Sequence, residues 1–243
     1  MLTAPQNPAA NLAAVRGRIA AAARAAGRDP AAITLVGVAK AQAPAALRAA
    51  VAAGLRDVGE NYLQEAREHR AALGGMPVCW HFIGALQANK TRPVAELFDW
   101  VHTLDRLRIA ERLSAQRPAN LAPLEVCIQV RLAAEPGKAG VAPAELPQLA
   151  AAVAALPRLR LRGLMCLPPA EREPARQRQW FAALRQLRDR LNDGGHRLDT
   201  LSMGMSDDFE AAVAEGATHL RLGTVLFGAR RAAARPGYND PHV

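Results

Sequence analysis

The sequence predicts an α/β protein built as a single (β/α)8 TIM barrel. Three observations predict it. Short β-like runs alternate with alanine-rich helical runs along the 243 residues. Eight such β runs can be counted, the number one closed parallel barrel needs in a chain of about 250 residues. The alternation is even, with no linker, low-complexity tract or shift of composition, so residues 1–243 read as one domain. Half the residues are hydrophobic but only 4% are aromatic, so the core must be packed from Leu, Val, Ile and Ala. The runner-up architecture is a doubly wound open sheet.

An opening helix is expected over Pro8–Ala26, where Leu12, Val15 and Ile19 fall on one stripe. The first strand is Ile33–Ala39 (ITLVGVA). Pro44 suits the first helical position before AALRAAVAAG, and Gly54 suits the position past its end. Further strands are expected at Asp57–Glu60, Val78–Ile83, Trp100–Leu104, Leu124–Val130, Leu161–Cys166, Thr200–Met203 and His219–Leu222. The longest helix lies near Glu173–Asn192, and PANLAP, Pro118–Pro123, reads as a loop. Asp207 is placed to cap DFEAAVAEG, and Gly216 to end it. After the eighth strand RRAAARPGYNDPHV is too short and broken for a full helix, so the opening helix is expected to close the outer ring.

Composition excludes several classes. No apolar run approaches the roughly 18 residues of a membrane span, and the first residues lack the charged start and apolar stretch of a secretory signal. Cys79, Cys127 and Cys166 are far apart inside apolar runs; they read as buried thiols in a reducing cytoplasm, not as disulfides or a zinc site. The net charge of +9 raises nucleic-acid binding, but the arginines are scattered over most helices and no basic tract is interleaved with aromatics. The charge therefore reads as a solvated surface that attracts a phosphorylated ligand.

Lysine is nearly absent: of 31 basic residues only Lys40, Lys90 and Lys138 are lysines. Lys40 ends the first strand, in LVGVAK. Only a primary amine can lose its proton and attack a carbonyl, which an arginine in the same place cannot do. In such barrels the active site sits at the carboxyl ends of the strands. Those ends carry Lys40, then Glu60, Asn61 and Tyr62, then His81 with the loop GALQANK, then Asp105, Arg131, Met165 with Pro168-Pro169, then Ser202, Gly204 and Ser206, and last Arg221, Gly223 and Thr224. Glycines and hydroxyls after strands seven and eight offer N–H and O–H groups to an anion. An amine facing a phosphate cradle suits a phosphorylated aldehyde. Two chemistries fit: pyridoxal 5′-phosphate (PLP) held on the lysine, or a cofactor-free Schiff-base aldolase. The stretch Gly84–Thr91 imitates a phosphate loop, but Asn89 replaces its second glycine and Pro93 disturbs the helix that should follow.

The motifs LVGVAK, GENYLQEAREH, WHFIGALQANK, HTLDR, QVRLAAEPGKAG, RGLMCLPP and LSMGMSDDFEAAVAEGATHLRLGTVLFGAR follow in order. Over roughly Leu35 to Arg230 the chain resembles the YggS/PROSC family of PLP homeostasis proteins. That resemblance implies a fold-type III barrel like the N-terminal domain of alanine racemase, without the C-terminal β-domain. It implies PLP as an aldimine on Lys40, with Ser202, Gly223 and Thr224 at the phosphate, Arg221 donating to the pyridine nitrogen, Asn61, His81 and Met165 lining the pocket, and Gly204 also among the cofactor-binding residues. A guanidinium donor keeps that nitrogen unprotonated and weakens the cofactor as an electron sink. Departures from the family pattern are Ala39 for a Ser or Thr, Ala85 for a proline, and Arg131 for an asparagine. The implied function is a monomeric, cytoplasmic carrier that buffers PLP and passes it to apo-enzymes, without substantial catalysis. The alternatives are a low-activity PLP-dependent racemase or lyase, the aldolase, and a basic RNA-binding module.

Overall fold

The structure is a computed structural model and describes residues 7–133 and 139–228. Eight strands pair in chain order and close on themselves: β1 Thr34–Val38, β2 Asp57–Glu60, β3 Cys79–Phe82, β4 Trp100–Leu104, β5 Leu124–Gln129, β6 Leu159–Met165, β7 Thr200–Ser202 and β8 His219–Leu222. Every pairing is parallel, including β1 with β8, where Val36 stands opposite Arg221 and Gly37 opposite Leu222. The open sheet is thereby excluded. Most strands match the expected runs, trimmed by a residue at one or both ends. β6 instead starts two residues early, because Leu159 and Arg160 pair with Leu124 and Glu125. Arg160 Nη1 also meets Glu125 Oε1 at 2.8 Å.

Helices α1 Pro8–Ala25, α2 Pro44–Ala52, α3 Leu63–Leu73, α4 Thr91–Leu97, α5 Leu107–Gln116, α6 Leu146–Ala154, α7 Pro174–Asp193, α8 Phe209–Ala214 and α9 Thr224–Phe227 cover the barrel. Pro44 is at the start of α2, as read, and the prolines at α1, α6 and α7 serve the same end, where an N–H would have no helical partner. α9 is a single turn. α1 packs against α2, α8 and α9 and so fills the ring, burying Leu12, Val15 and Ile19. Asn11 Nδ2 ties it to the Leu226 carbonyl at 3.0 Å. The expected cap at Asp207 is corrected: α8 starts at Phe209, and Asp208 at its head accepts from the Met205 N–H at 2.6 Å instead of capping the helix. The C-terminal RRAAARPGYNDPHV and Lys138 lie outside the described residues.

Two apolar regions result. The larger, between strands and helices, holds Val36, Leu47, Val58, Val101, Leu164, Phe181, Phe209 and Leu220. The smaller, Trp100, Cys127 and Met165, sits apart from it, with Cys79 packed against it. Barrel interiors are ordinarily layers of Val, Ile and Leu. Here a tryptophan, His81, His102 and His219 stack within 6.1 Å of one another, ring centre to ring centre. Among the described residues no helix is long and apolar enough to cross a membrane.

Candidate functional site

Lys40 leaves β1 at its carboxyl end, half-buried, with Nζ 5.3 Å from the centre of the Tyr62 ring. The next residue, Ala41, has φ +57, a region that side chains with a Cβ rarely adopt. Glu65 holds it there, accepting from the Ala41 N–H at 3.0 Å. His69 Nε2 lies 3.3 Å from the Gln42 carbonyl, and His69 Nδ1 lies 2.6 Å from Glu60 Oε1. Burial pushes the Glu60 carboxyl up, and burial works against the His69 cation, but the hydrogen bond and charge of Glu60, the Gln42 carbonyl and Glu65 together outweigh it and raise His69. The chain just past Lys40 is thus strained and clamped from α3. Only Glu65 and His69, four residues apart on α3, and Glu60 at the end of β2 hint at the clamp in the sequence.

Arg221 stands on β8, next to β1, with 4% of its surface exposed. Its Nη1 donates to Ser202 Oγ at 2.6 Å and its Nη2 to the Cys166 carbonyl at 2.9 Å. Burial lowers its pKa. Ser202 Oγ is also 2.7 Å from His102 Nδ1; His102 Nε2 is 2.9 Å from His81 Nδ1; and His81 Nε2 is 3.0 Å from Asp57 Oδ1. Burial holds His102 well below the usual imidazole range, and neighbouring His81 and His219 add to the effect. Burial likewise brings His219 to about 3.

The residues singled out in the sequence fall into three groups. Lys40, Gly223 and Thr224 follow the carboxyl ends of the paired strands β1 and β8: an added Cβ on Gly223 would touch the Val38 carbonyl at 3.4 Å, two residues before Lys40, and Thr224 opens α9. Ser206 is beside them, its Oγ 3.4 Å from the Val225 N–H at the head of α9. Ser202, Met165 and His81 lie deeper, fully buried inside the barrel, so His81 is a member of the buried chain and Met165 packs on Trp100 and Cys127. Asn61 and Gly204 shape the rim. Asn61 runs so close to Gly84 that a Cβ there would sit 2.1 Å from the Asn61 carbonyl, and Gly204, at φ +93, accepts from the Arg221 N–H at 3.0 Å.

Other candidates resolve plainly. The Thr91 hydroxyl of the phosphate-loop imitation is buried and donates to the Ala88 carbonyl at 2.9 Å, and Ala88–Lys90 is a tight turn, so this stretch is no anion loop. Burial pushes the Cys166 thiol up to about 12, which removes it as a nucleophile. Arg131 and Lys90 are exposed. Asp57, Cys79 and His81 bring three metal-capable atoms within 4.8 Å of one another. His81 Nε2 is already engaged by Asp57 Oδ1 at 3.0 Å, and His81 Nδ1 by His102 Nε2 at 2.9 Å.

This closed parallel barrel, with a lysine two residues past its first strand and a buried guanidinium on its eighth, is of the alanine racemase N-terminal class: the family model described as "Alanine racemase, N-terminal domain" matches residues 10–231. The chain is 60% identical over 222 residues to the pyridoxal phosphate homeostasis protein of Pseudomonas aeruginosa, covering 91% of this chain and 95% of that one. It is 53% identical over 227 residues to the protein of the same name from Escherichia coli, covering 90% and 95%. The solved structure of PipY from Synechococcus elongatus with PLP bound superposes with a TM-score of 0.81 at 38% identity, covering 91% of this chain and all of that one. The chain belongs to the family of pyridoxal phosphate homeostasis proteins.

Proposed function

We propose that this chain binds PLP as an aldimine on Lys40, buffers it in the cytoplasm and passes it to apo-enzymes, acting as a monomer and without substantial catalysis of its own. The observation that carries this reading is that paired, neighbouring strands β1 and β8 carry a lysine just past the end of one and a buried guanidinium on the other, with Gly223 packed against the Val38 backbone. The residues fit the group. Lys40 supplies the amine, Ser206, Gly223 and Thr224 the N–H and O–H donors for a phosphate, and Arg221 a donor for a ring nitrogen. Asn61, Gly204 and Met165 shape the walls and floor. Ser202 contributes by accepting from Arg221, and His81 by supporting Ser202 through His102. PLP itself supplies a reactive aldehyde and an electron sink; a guanidinium at its nitrogen weakens the sink. The names of the relatives and the bound PLP in PipY support the same reading.

The test sets carrier against enzyme. PLP-loaded protein is mixed with an apo-enzyme while amino-acid racemisation and elimination are followed in parallel. Recovery of the recipient's activity with no turnover of alanine, serine or threonine is expected. Sustained turnover without transfer would make the chain a racemase or lyase.

A further inference from the structure

Arg221 poses a problem of charge. It is buried, and among the described residues no carboxylate forms an ion pair with it. A buried charge without compensation is costly. Asp208 acts on Arg221 through space without pairing, and the hydrogen-bonded compensation runs through the barrel. From Arg221 Nη1 the contacts pass to Ser202 Oγ at 2.6 Å, His102 Nδ1 at 2.7 Å, His102 Nε2 to His81 Nδ1 at 2.9 Å, and His81 Nε2 to Asp57 Oδ1 at 3.0 Å. This chain crosses the barrel from β8 through β7, β4 and β3 to the first residue of β2, where the Asp57 side chain is 25% exposed at the opposite mouth.

Its ends dictate its direction. A guanidinium only donates and a carboxylate only accepts. His81 Nε2 must therefore carry a proton for Asp57. At the other end Ser202 Oγ already accepts from Arg221, which leaves its single hydrogen for His102 Nδ1, so His102 donates from Nε2 and His81 accepts at Nδ1. Every donor points away from Arg221, and each neutral histidine has a single permitted tautomer. Such chains polarise one another along their length. His219 and Trp100 flank the histidines and exclude water.

We propose that Asp57, His81, His102 and Ser202 form a one-way hydrogen-bond relay that positions Arg221 and sets the strength of the hydrogen bond it gives to the pyridine nitrogen of PLP. This rests on the proposed function, in which Arg221 faces that nitrogen. Asp57 and the two histidines are positioning residues: they touch Arg221 only through Ser202.

The first test is the long-range 1H–15N spectrum of the histidine rings in 15N-labelled full-length protein, assigned with His81→Gln and His102→Gln. Both rings should be neutral and protonated at Nε2 in wild type. Protonation at Nδ1, or an imidazolium at either residue near neutral pH, overturns the relay whether or not PLP is bound. The second test is the absorbance of PLP-loaded Asp57→Asn, Ser202→Ala and Arg221→Lys. The amide introduced by Asp57→Asn can donate as well as accept, so the direction is released; His81 should then show mixed tautomers. The pH midpoint of the cofactor absorbance should shift in Asp57→Asn by at least about 0.5 unit, roughly threefold in the proton equilibrium. If Arg221→Lys moves that midpoint and neither of the other two does, the positioning role is refuted. If Arg221→Lys also leaves it unmoved, the placement of Arg221 at the ring falls and the relay's effect on PLP falls with it, while the tautomers still report the relay itself. Asp57→Asn is isosteric and lies at a partly exposed position, so the test survives if a buried variant fails to fold.

Discussion

Gly204→Ala separates two costs that a buried turn can carry. Gly204 sits at φ +93 after β7, and a Cβ there would lie 2.7 Å from Ala212 Cβ, 2.9 Å from Leu220 Cδ2 and 3.2 Å from Phe209 Cα. The backbone strain of a left-handed side chain costs about 1–2 kcal/mol, and forcing a methyl into a packed site costs about 1–3 kcal/mol more. The sum, roughly 2–5 kcal/mol, corresponds to a Tm lower by roughly 5–20 °C for a chain of this size. Gly75→Ala is the control: its φ is +82 but a Cβ there meets nothing within 4 Å, so it carries the strain alone. Thermal unfolding followed by circular dichroism should show Gly204→Ala losing at least twice as much as Gly75→Ala. Because the Gly204 carbonyl accepts from the Arg221 N–H at 3.0 Å, PLP affinity should fall in the first variant and hold in the second. Equal losses of stability, with unchanged PLP affinity in both, would refute the packing of this turn against α8 and its hold on Arg221.

Lys40→Ala should lose borohydride-stable PLP while keeping some non-covalent binding, read by mass spectrometry and by fluorescence titration. Arg117, 3% exposed, donates to the carbonyls of Ala95, Phe98 and Ala122 at 2.7–2.8 Å; a lysine cannot reach all three, so Arg117→Lys should cost roughly 2–5 kcal/mol in urea unfolding through carbonyls left unpaired. Burial would raise the Glu215 carboxyl, but Arg178 and Arg185 outweigh it and hold it below its usual 4.5. Its contribution is therefore present above that value and lost as pH falls through the lower folded value. The urea midpoints of wild type and Glu215→Gln should differ at pH 7 and converge in acid, and a gap that widens in acid would reverse the assignment.

The barrel was legible because strand and helix periods alternate without interruption, and because Pro44, Gly54 and Gly216 punctuate helices where a proline or a left-handed residue belongs. The sequence alone singles out Lys40 by its rarity and its place after the first strand, and the structure places it just past β1. The buried relay was not. His81, His102, Ser202 and Arg221 each sit inside an apolar strand, and only barrel closure shows that these four strands bring them within hydrogen-bond distance. A visible signal existed: His81 in WHF, His102 in VHT, Ser202 in TLS and Arg221 in LRL stand where a barrel layer would take Val or Ile. Arginines read as a solvated surface also include Arg28, which ties α1's end to the carbonyls of Val213 and Ala217, and Arg117. Composition counts such charges without showing which carbonyls receive them. Asp207 was misread as a cap because its neighbour Asp208 turns back onto the loop, a choice between adjacent aspartates that spacing does not decide.

The most direct test of the central claim is borohydride reduction of the PLP-loaded protein followed by peptide mapping. A pyridoxyl group on the peptide containing Lys40, with bleaching of the visible absorbance, is the predicted result. A protein that takes up no PLP, or one labelled at Lys90 or Lys138 and not at Lys40, would contradict it.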